Sequence, residues 1–240
     1  MPELDQPGGS PRENLGARRL GRAGFFGLIG AGVATLFFGN DISRVTSLVT
    51  KPFAEISGLS RFVPSGGWRI YTVAATMPVF DRATWRLRID GLVRTPMEIS
   101  YEELLALPKA EQVSTFHCVT GWTVTDVHWG GVRFRDLLAQ AGPLPTAHAV
   151  HFISAEKPYQ DYLTLADLAL PDVMLAYEMD GQPLLQEHGA PVRVVIPDMY
   201  GYKNVKWVEQ ITLVPRQRLG YWEQLGYDVD AWVGHSNGYG

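Results

Sequence analysis

The sequence predicts an α+β fold. Short strand-like runs and short helical segments alternate along the chain, yet without the regular strand–helix–strand period that builds a parallel doubly wound sheet. With 46% hydrophobic and 19% charged residues, the 240-residue chain can bury one sizeable globular core and carry appendages, which argues against two full domains. No internal repeat or low-complexity tract competes with that reading.

The elements follow from local patterns. Trp68 to Val73 is short and extended, and Trp85 to Gly91 alternates strictly, as a half-buried strand does before a turn. Ser100 and Glu103 have capping-box spacing ahead of Leu104, Leu105 and Leu107, and Pro108 stops that helix. Val113 to Val119 reads as a strand with Ser114, Phe116 and Cys118 on one face and Val113, Thr115 and His117 on the other; Thr120-Gly121 ends it, leaving the thiol at the strand exit. Phe134 to Ala141 has helical spacing with Gly142 as its stop, and Ala149 to Ile153 is a strand. Thr164 with Asp167 opens a short helix that ends near Pro171. Val173 to Met179 leads into an Asp180-Gly181 hairpin turn. Val192 to Ile196, a β-branched run between two prolines, is a buried strand, and Lys206 to Val214 supplies one or two more.

Five segments result: a polar, basic N-terminus (1–22), an apolar helix (23–40), a connector (41–67), the folded domain (68–219) and a tail (220–240). The tail is aromatic and reads as a strap on the domain surface followed by a loose end. Arg18, Arg19 and Arg22 stand directly before the 18 uncharged residues Ala23 to Asn40, the layout of an export or membrane-insertion segment. The arginine pair resembles a twin-arginine export signal, although the flanking pattern is partial. A run of this length also suits an uncleaved anchor, since a membrane span needs about 20 residues. Either way the protein is expected in the periplasm or on the outer face of the cytoplasmic membrane. The net charge of −4, with no basic stretch interleaved with aromatics, gives no reason to expect nucleic acid.

Cys118 is the only cysteine, so an internal disulfide is excluded, and its open uses are core filler, nucleophile or metal thiolate. His117, Cys118 and His128 make a poor zinc set, because neighbouring strand residues point to opposite faces. A nucleophile elbow, a P-loop, a dinucleotide glycine fingerprint and a His-Glu-x-x-His helix are all missing.

Cys118-Val119-Thr120-Gly121-Trp122-Thr123, with Trp129-Gly130-Gly131-Val132 and Leu137-Leu138 after it, resembles the active-site segment of the sulfite-oxidase-type molybdopterin oxidoreductases. Three later blocks match in the same order: Leu175 to Leu184, His188 to Arg193 and Tyr200 to Trp207. The resemblance covers roughly Trp68 to Val214. It implies a sulfite-oxidase-type domain of mixed strands and short helices, a molybdenum–molybdopterin cofactor, and Cys118 as the protein's thiolate ligand to the metal and its catalytic residue. A soft thiolate suits such a metal, and the cofactor brings its other sulfurs itself.

The resemblance further implies that Asn204, Val205 and Lys206 contact the cofactor's phosphate end and that His188 and Arg193 lie against the pterin. Ser154 falls where one branch has a hydroxyl contact, and Arg69, Tyr71 and Thr72 fall at the family's N-terminal cofactor contacts, although those residues depart from its pattern. Lys203 is a further candidate cation for the phosphate. Without the resemblance, the lysines read equally well as a solvated strand edge and His188 as a loop histidine.

True sulfite oxidases place Gly-Asn and an arginine just after the cysteine. Val119-Thr120-Gly121-Trp122 resembles instead the Cys-Val-x-Ala-Trp pattern of the methionine-sulfoxide-reductase branch. This implies oxygen-atom transfer on a small or protein-bound sulfoxide or N-oxide. The chain after Val214 is too short for the oxidases' dimerisation domain, and no haem domain is evident. Electrons are therefore expected to pass through a separate partner, a haem membrane subunit or a cytochrome. The alternatives are sulfite oxidation and a non-catalytic, membrane-tethered module that keeps the fold.

Overall fold

The computed structural model describes residues 64–65 and 67–235. The basic N-terminus, the expected apolar helix at 23–40 and nearly all of the 41–67 connector lie outside the described residues. The strands are β1 (Pro64–Ser65), β2 (Trp68–Arg69), β3 (Arg86–Gly91), β4 (Met97–Ser100), β5 (Ala110–His117), β6 (Thr123–Arg133), β7 (Ala149–Ser154), β8 (Gln160–Thr164), β9 (Met174–Met179), β10 (Gln182–Pro183), β11 (Arg193–Val195) and β12 (Val208–Val214). The helices are α1 (Tyr101–Ala106), α2 (Phe134–Ala141) and α3 (Leu165–Leu168). Strands dominate and helices are few, so the α+β expectation holds.

Local chemistry explains the boundaries. Ser100 Oγ accepts from Glu103 N at 3.2 Å while the Glu103 carboxylate accepts from Ser100 N at 2.8 Å, the reciprocal cap the spacing predicts for α1. Thr164 and Asp167 repeat it at α3. Between β9 and β10 the Asp180-Gly181 turn pairs Met179 with Gln182. Four strands were not anticipated: β1 falls in the segment read as a connector, and three more lie inside the domain. β6 carries Asp126, His128 and two glycines, so no period-2 alternation survives, and β4 and β8 are short and half polar.

β10-β9-β6-β5, with β11 also on β9, forms one sheet; β4-β3-β12-β7-β8 forms the other. Among the described residues only β12 and β3 run parallel. The main core lies between the sheets and α2: Leu87, Ile89, Phe152 and Ile211 from one side meet Phe134, Leu175 and Tyr177 from the other. Alternation on β9 sends Leu175 and Tyr177 into this core, while Met174 and Ala176 enter a second cluster on the opposite face. That smaller cluster, with Trp68, Ile70, Val127 and Trp129, packs β2 against the first sheet and brings it to the β5–β6 turn.

Contrary to the strap reading, the segment after Gly220 is integral to the domain. Ala231 is fully buried and accepts at its carbonyl from Tyr200 N at 2.9 Å, Met199 bridges to Trp232, and Glu223 is buried in an ion pair.

Candidate active site

Strand β5 stops at His117, one residue short of the thiol. Cys118 N then donates to Trp122 O at 2.9 Å and Gly121 N to Cys118 O at 3.0 Å, so the cysteine opens a tight β5–β6 turn. A bulge between Ser114 and Phe116 breaks the strict alternation that the sequence suggests. His117 faces another groove, shared with Asp172 and Asp198, so the two neighbours diverge.

Cys118 lies on a cleft of about 850 Å³. Of the residues singled out in the sequence, Arg69, Tyr71, Cys118, His188, Arg193, Asn204 and Lys206 line it. Thr72 does not; its hydroxyl donates to Ala74 O at 3.0 Å. Ser154, fully buried, lies behind the wall, where it donates to Lys206 O at 2.9 Å and accepts from Glu156 N at 3.0 Å. Val205 is fully buried, its carbonyl accepting from Val194 N at 2.8 Å. Asn204 reaches the cleft, but its Oδ1 accepts from Ile196 N at 2.7 Å, so its amide holds the loop. Lys203 is not a free cation: its side chain, 1% exposed, is paired with Asp161 at 3.0 Å and with Glu223. Burial favours that pairing because a lone ammonium in the core would cost several kcal/mol.

Arg193, 3% exposed, has no carboxylate partner among the described residues. It donates to His188 O at 3.2 Å and Asn204 O at 3.4 Å and lies over the Phe116 and Trp129 rings. Burial lowers its guanidinium to about 10, still charged at neutral pH. Lys206 Nζ donates to Tyr71 O at 2.9 Å and Glu187 O at 3.1 Å and sits 3.9 Å from the Trp207 ring centre. Burial, then Arg193, pushes this ammonium down to about 7. The same two causes lower His188 to about 4. Burial raises the Cys118 thiol, whose Sγ is 3.2 Å from Thr120 Oγ1. Glu156, which no motif marked, accepts from Val73 N at 2.7 Å and Ala74 N at 3.3 Å and fixes the strand leading out of β2.

Three observations test the fit of an organic metal cofactor. His188 Nδ1, Arg193 Nε and Trp122 Nε1 are buried polar atoms without a hydrogen-bond partner among the described residues, and all three belong to cleft residues. A buried arginine facing only carbonyls and rings suits an anionic group. Finally, the described residues offer no set of three or more His, Cys, Asp or Glu that could hold a bare metal, so one thiol fits a metal that arrives with most of its ligands. The residues fit the group.

Fold and cleft together define an oxidoreductase domain built to hold a metal on an organic, anionic cofactor. The chain belongs to the oxidoreductase molybdopterin binding domain family, whose model matches residues 74–222. Its cofactor is accordingly molybdenum–molybdopterin.

Among relatives, the chain is 38% identical over 154 residues to the uncharacterized oxidoreductase YuiH of Bacillus subtilis, covering 63% of this chain and 77% of that protein. It is 29% identical over 188 residues to sulfite oxidase of Arabidopsis thaliana, covering 64% and 48%. To the protein-methionine-sulfoxide reductase catalytic subunit MsrP of Gluconobacter oxydans it is 29% identical over 199 residues, covering 76% and 63%. The chain thus spans less than two thirds of the last two. The crystal structure of the sulfane dehydrogenase SoxCD from Paracoccus pantotrophus shares the fold, with a TM-score of 0.56 at 21% identity over 75% of this chain and 56% of that one.

Proposed function

We propose that the chain reduces sulfoxides or N-oxides, free or carried on a protein, by oxygen-atom transfer. One observation supports this most: the cleft around Cys118 is walled by Trp68, Tyr71, Phe116 and Trp122 on one side and Trp222 and Tyr227 on another. Aromatic walls accept the apolar flanks of a sulfoxide and its thioether product, whereas sulfite is a small hydrated anion that leaves water for charged partners.

In the net reaction the sulfur–oxygen bond breaks, two electrons and two protons enter, and thioether and water leave. When bound, the cofactor supplies the two-electron oxygen-atom transfer. Cys118 would give the one protein sulfur to the metal, as a thiolate, and the Thr120 hydroxyl is placed to donate to that sulfur. Arg193, His188 and Lys206 would hold the anionic and polar parts of the cofactor, with Arg69 and Tyr71 lining the same cleft and Tyr71 O bonded to Lys206 Nζ. Thr72, Ser154, Asn204 and Val205 support the loops that carry them. Glu156 and Lys206 converge on residues 71–74 and hold that wall in place.

Electrons come from a separate haem membrane subunit or cytochrome. The arginines and the apolar run at 18–38 direct the protein to the outer face of the membrane, by cleavage or as an anchor. Among the described residues no helix is long and apolar enough to cross a membrane. Recovery of full-length protein with an intact N-terminus solely from the cytoplasm would refute that placement.

Sulfite oxidation is the second reading, favoured by Arg69, which lines the cleft and whose charge is felt at Cys118. Steady-state assays with artificial electron donors and acceptors decide between the two. Sulfoxide turnover is expected; efficient sulfite oxidation without any sulfoxide turnover, weakened by Arg69→Gln, reverses the assignment.

A further inference from the structure

The segment after Gly220 forms a wall of the cleft and is anchored from behind. Trp222 and Tyr227 face the cleft with ring centres 5.0 Å apart, and Tyr227 meets Tyr202 edge-on at 5.3 Å. Between them Glu223 turns inward, where its carboxylate pairs with Lys203 Nζ, which also donates to Asp161 Oδ1 at 3.0 Å. All three side chains of this cluster are at most 2% exposed. Gly220 permits the turn: a Cβ there would come within 2.9 Å of atoms of both the Asp161 and Glu223 carboxylates. Tyr221 N donates to Gln160 O at 2.9 Å, and Tyr202 OH donates to Asp228 O at 2.7 Å. A surface strap would need none of these fastenings. Lys203 stands at the end of the turn Gly201–Lys203, next to Asn204 in the cleft, so the same ammonium ties the wall to the loop opposite.

The matched family region ends at residue 222, so Trp222 closes it while Glu223 and Tyr227 follow it.

We propose that Trp222 and Tyr227 select the substrate, favouring sulfoxides with an aromatic or bulky apolar substituent, and that the Lys203–Asp161–Glu223 cluster is the positioning device that holds them. The proposal rests on the sulfoxide reading above. An aryl group can stack on this pair, whereas a methyl group is too small to reach both rings. Discrimination on the order of tenfold is typical of an apolar pocket.

The test uses cofactor-loaded protein and the variants Trp222→Ala, Trp222→Phe, Tyr227→Ala and Glu223→Gln. KM and kcat are measured for methyl phenyl sulfoxide and dimethyl sulfoxide. Calorimetry without an electron donor gives the two dissociation constants, pterin content is read by fluorescence, and amide exchange is followed at 221–227. Trp222→Ala and Tyr227→Ala should raise KM and Kd for the aryl sulfoxide about tenfold more than for dimethyl sulfoxide, with pterin content little changed. Trp222→Phe should restore the preference. Glu223→Gln should speed exchange across 221–227 and weaken aryl selectivity in parallel.

Equal losses for both sulfoxides, or pterin content falling with activity, would overturn the proposal by making this wall a cofactor support. If the wild type reduces neither sulfoxide, the functional reading fails. Preferential calorimetric binding of the aryl compound, lost in Trp222→Ala, would then still support the wall, and its absence would remove that too.

Discussion

Gly201 lies flat against the Phe116 ring, so closely that a Cβ at 201 would fall within 3.0 Å of three ring carbons. Phe116 stands two residues before Cys118, and Arg193 lies over its ring at 5.5 Å. A side chain at 201 therefore pushes on the thiol turn and on the buried cation at once. Gly201→Ala is expected to cost about 1–3 kcal/mol through overpacking. Turnover should fall more than stability, because the displaced ring is part of the cleft. Melting temperature and specific activity of the purified variant check this; full activity would mean that the ring yields without disturbing the turn.

Arg193 gives a prediction of opposite character for protein with and without cofactor. Its guanidinium is buried against carbonyls and rings, so the cofactor-free fold gains little from the charge itself. Arg193→Met should leave the melting temperature of cofactor-free protein nearly unchanged while pterin content drops severalfold. A large loss of stability in the cofactor-free variant would instead make Arg193 a structural residue.

What the sequence revealed follows from how local each cause is. The caps at Ser100 and Thr164 and the Asp180-Gly181 turn are decided within four residues, and all three were readable. The thiol turn was marked by Thr120-Gly121, and the cluster of cations by resemblance. Long-range pairing was not readable. Lys203 and Lys206 are three residues apart and look alike in sequence, yet one is neutralised by Asp161 and Glu223 in the interior while the other opens on the cleft. Glu156 left no signal, since its partners are backbone amides 82 and 83 residues earlier. Glu223, between the two cleft residues Trp222 and Tyr227, finds Lys203 20 residues earlier, a contact invisible to any local pattern.

His188 makes the cofactor-free protein sensitive to acid. Its folded pKa is lowered to about 4, first by burial and then by Arg193, against 6.5 for the ordinary group. Between those values the unfolded chain binds a proton that the folded chain refuses, so stability rises with pH across the window and is lost as pH falls from 6.5 toward 4. With the side chain 3% exposed, the full effect is on the order of 3 kcal/mol. Urea titrations at pH 4.5, 5.5 and 7 should show this slope, and His188→Gln should flatten it. An unchanged slope in the variant would place the acid sensitivity elsewhere.

Cys118 carries the sharpest test. Burial keeps its thiol protonated at neutral pH in cofactor-free protein, and binding to a metal removes that proton, so loading should release protons to the buffer. Cys118→Ser preserves size but exchanges a soft donor for a hard one. His188, Arg193 and Lys206, the groups proposed to anchor the cofactor, are untouched by it. Pterin should therefore remain largely bound while oxygen-atom transfer collapses and loading no longer releases the thiol proton. If the cysteine were only filler, the same change would cost about 1–3 kcal/mol for burying a hydroxyl and leave activity per folded molecule intact. Molybdenum content, melting temperature and turnover measured on one preparation separate these outcomes, and normal specific activity in a merely less stable Cys118→Ser protein would falsify the ligand assignment.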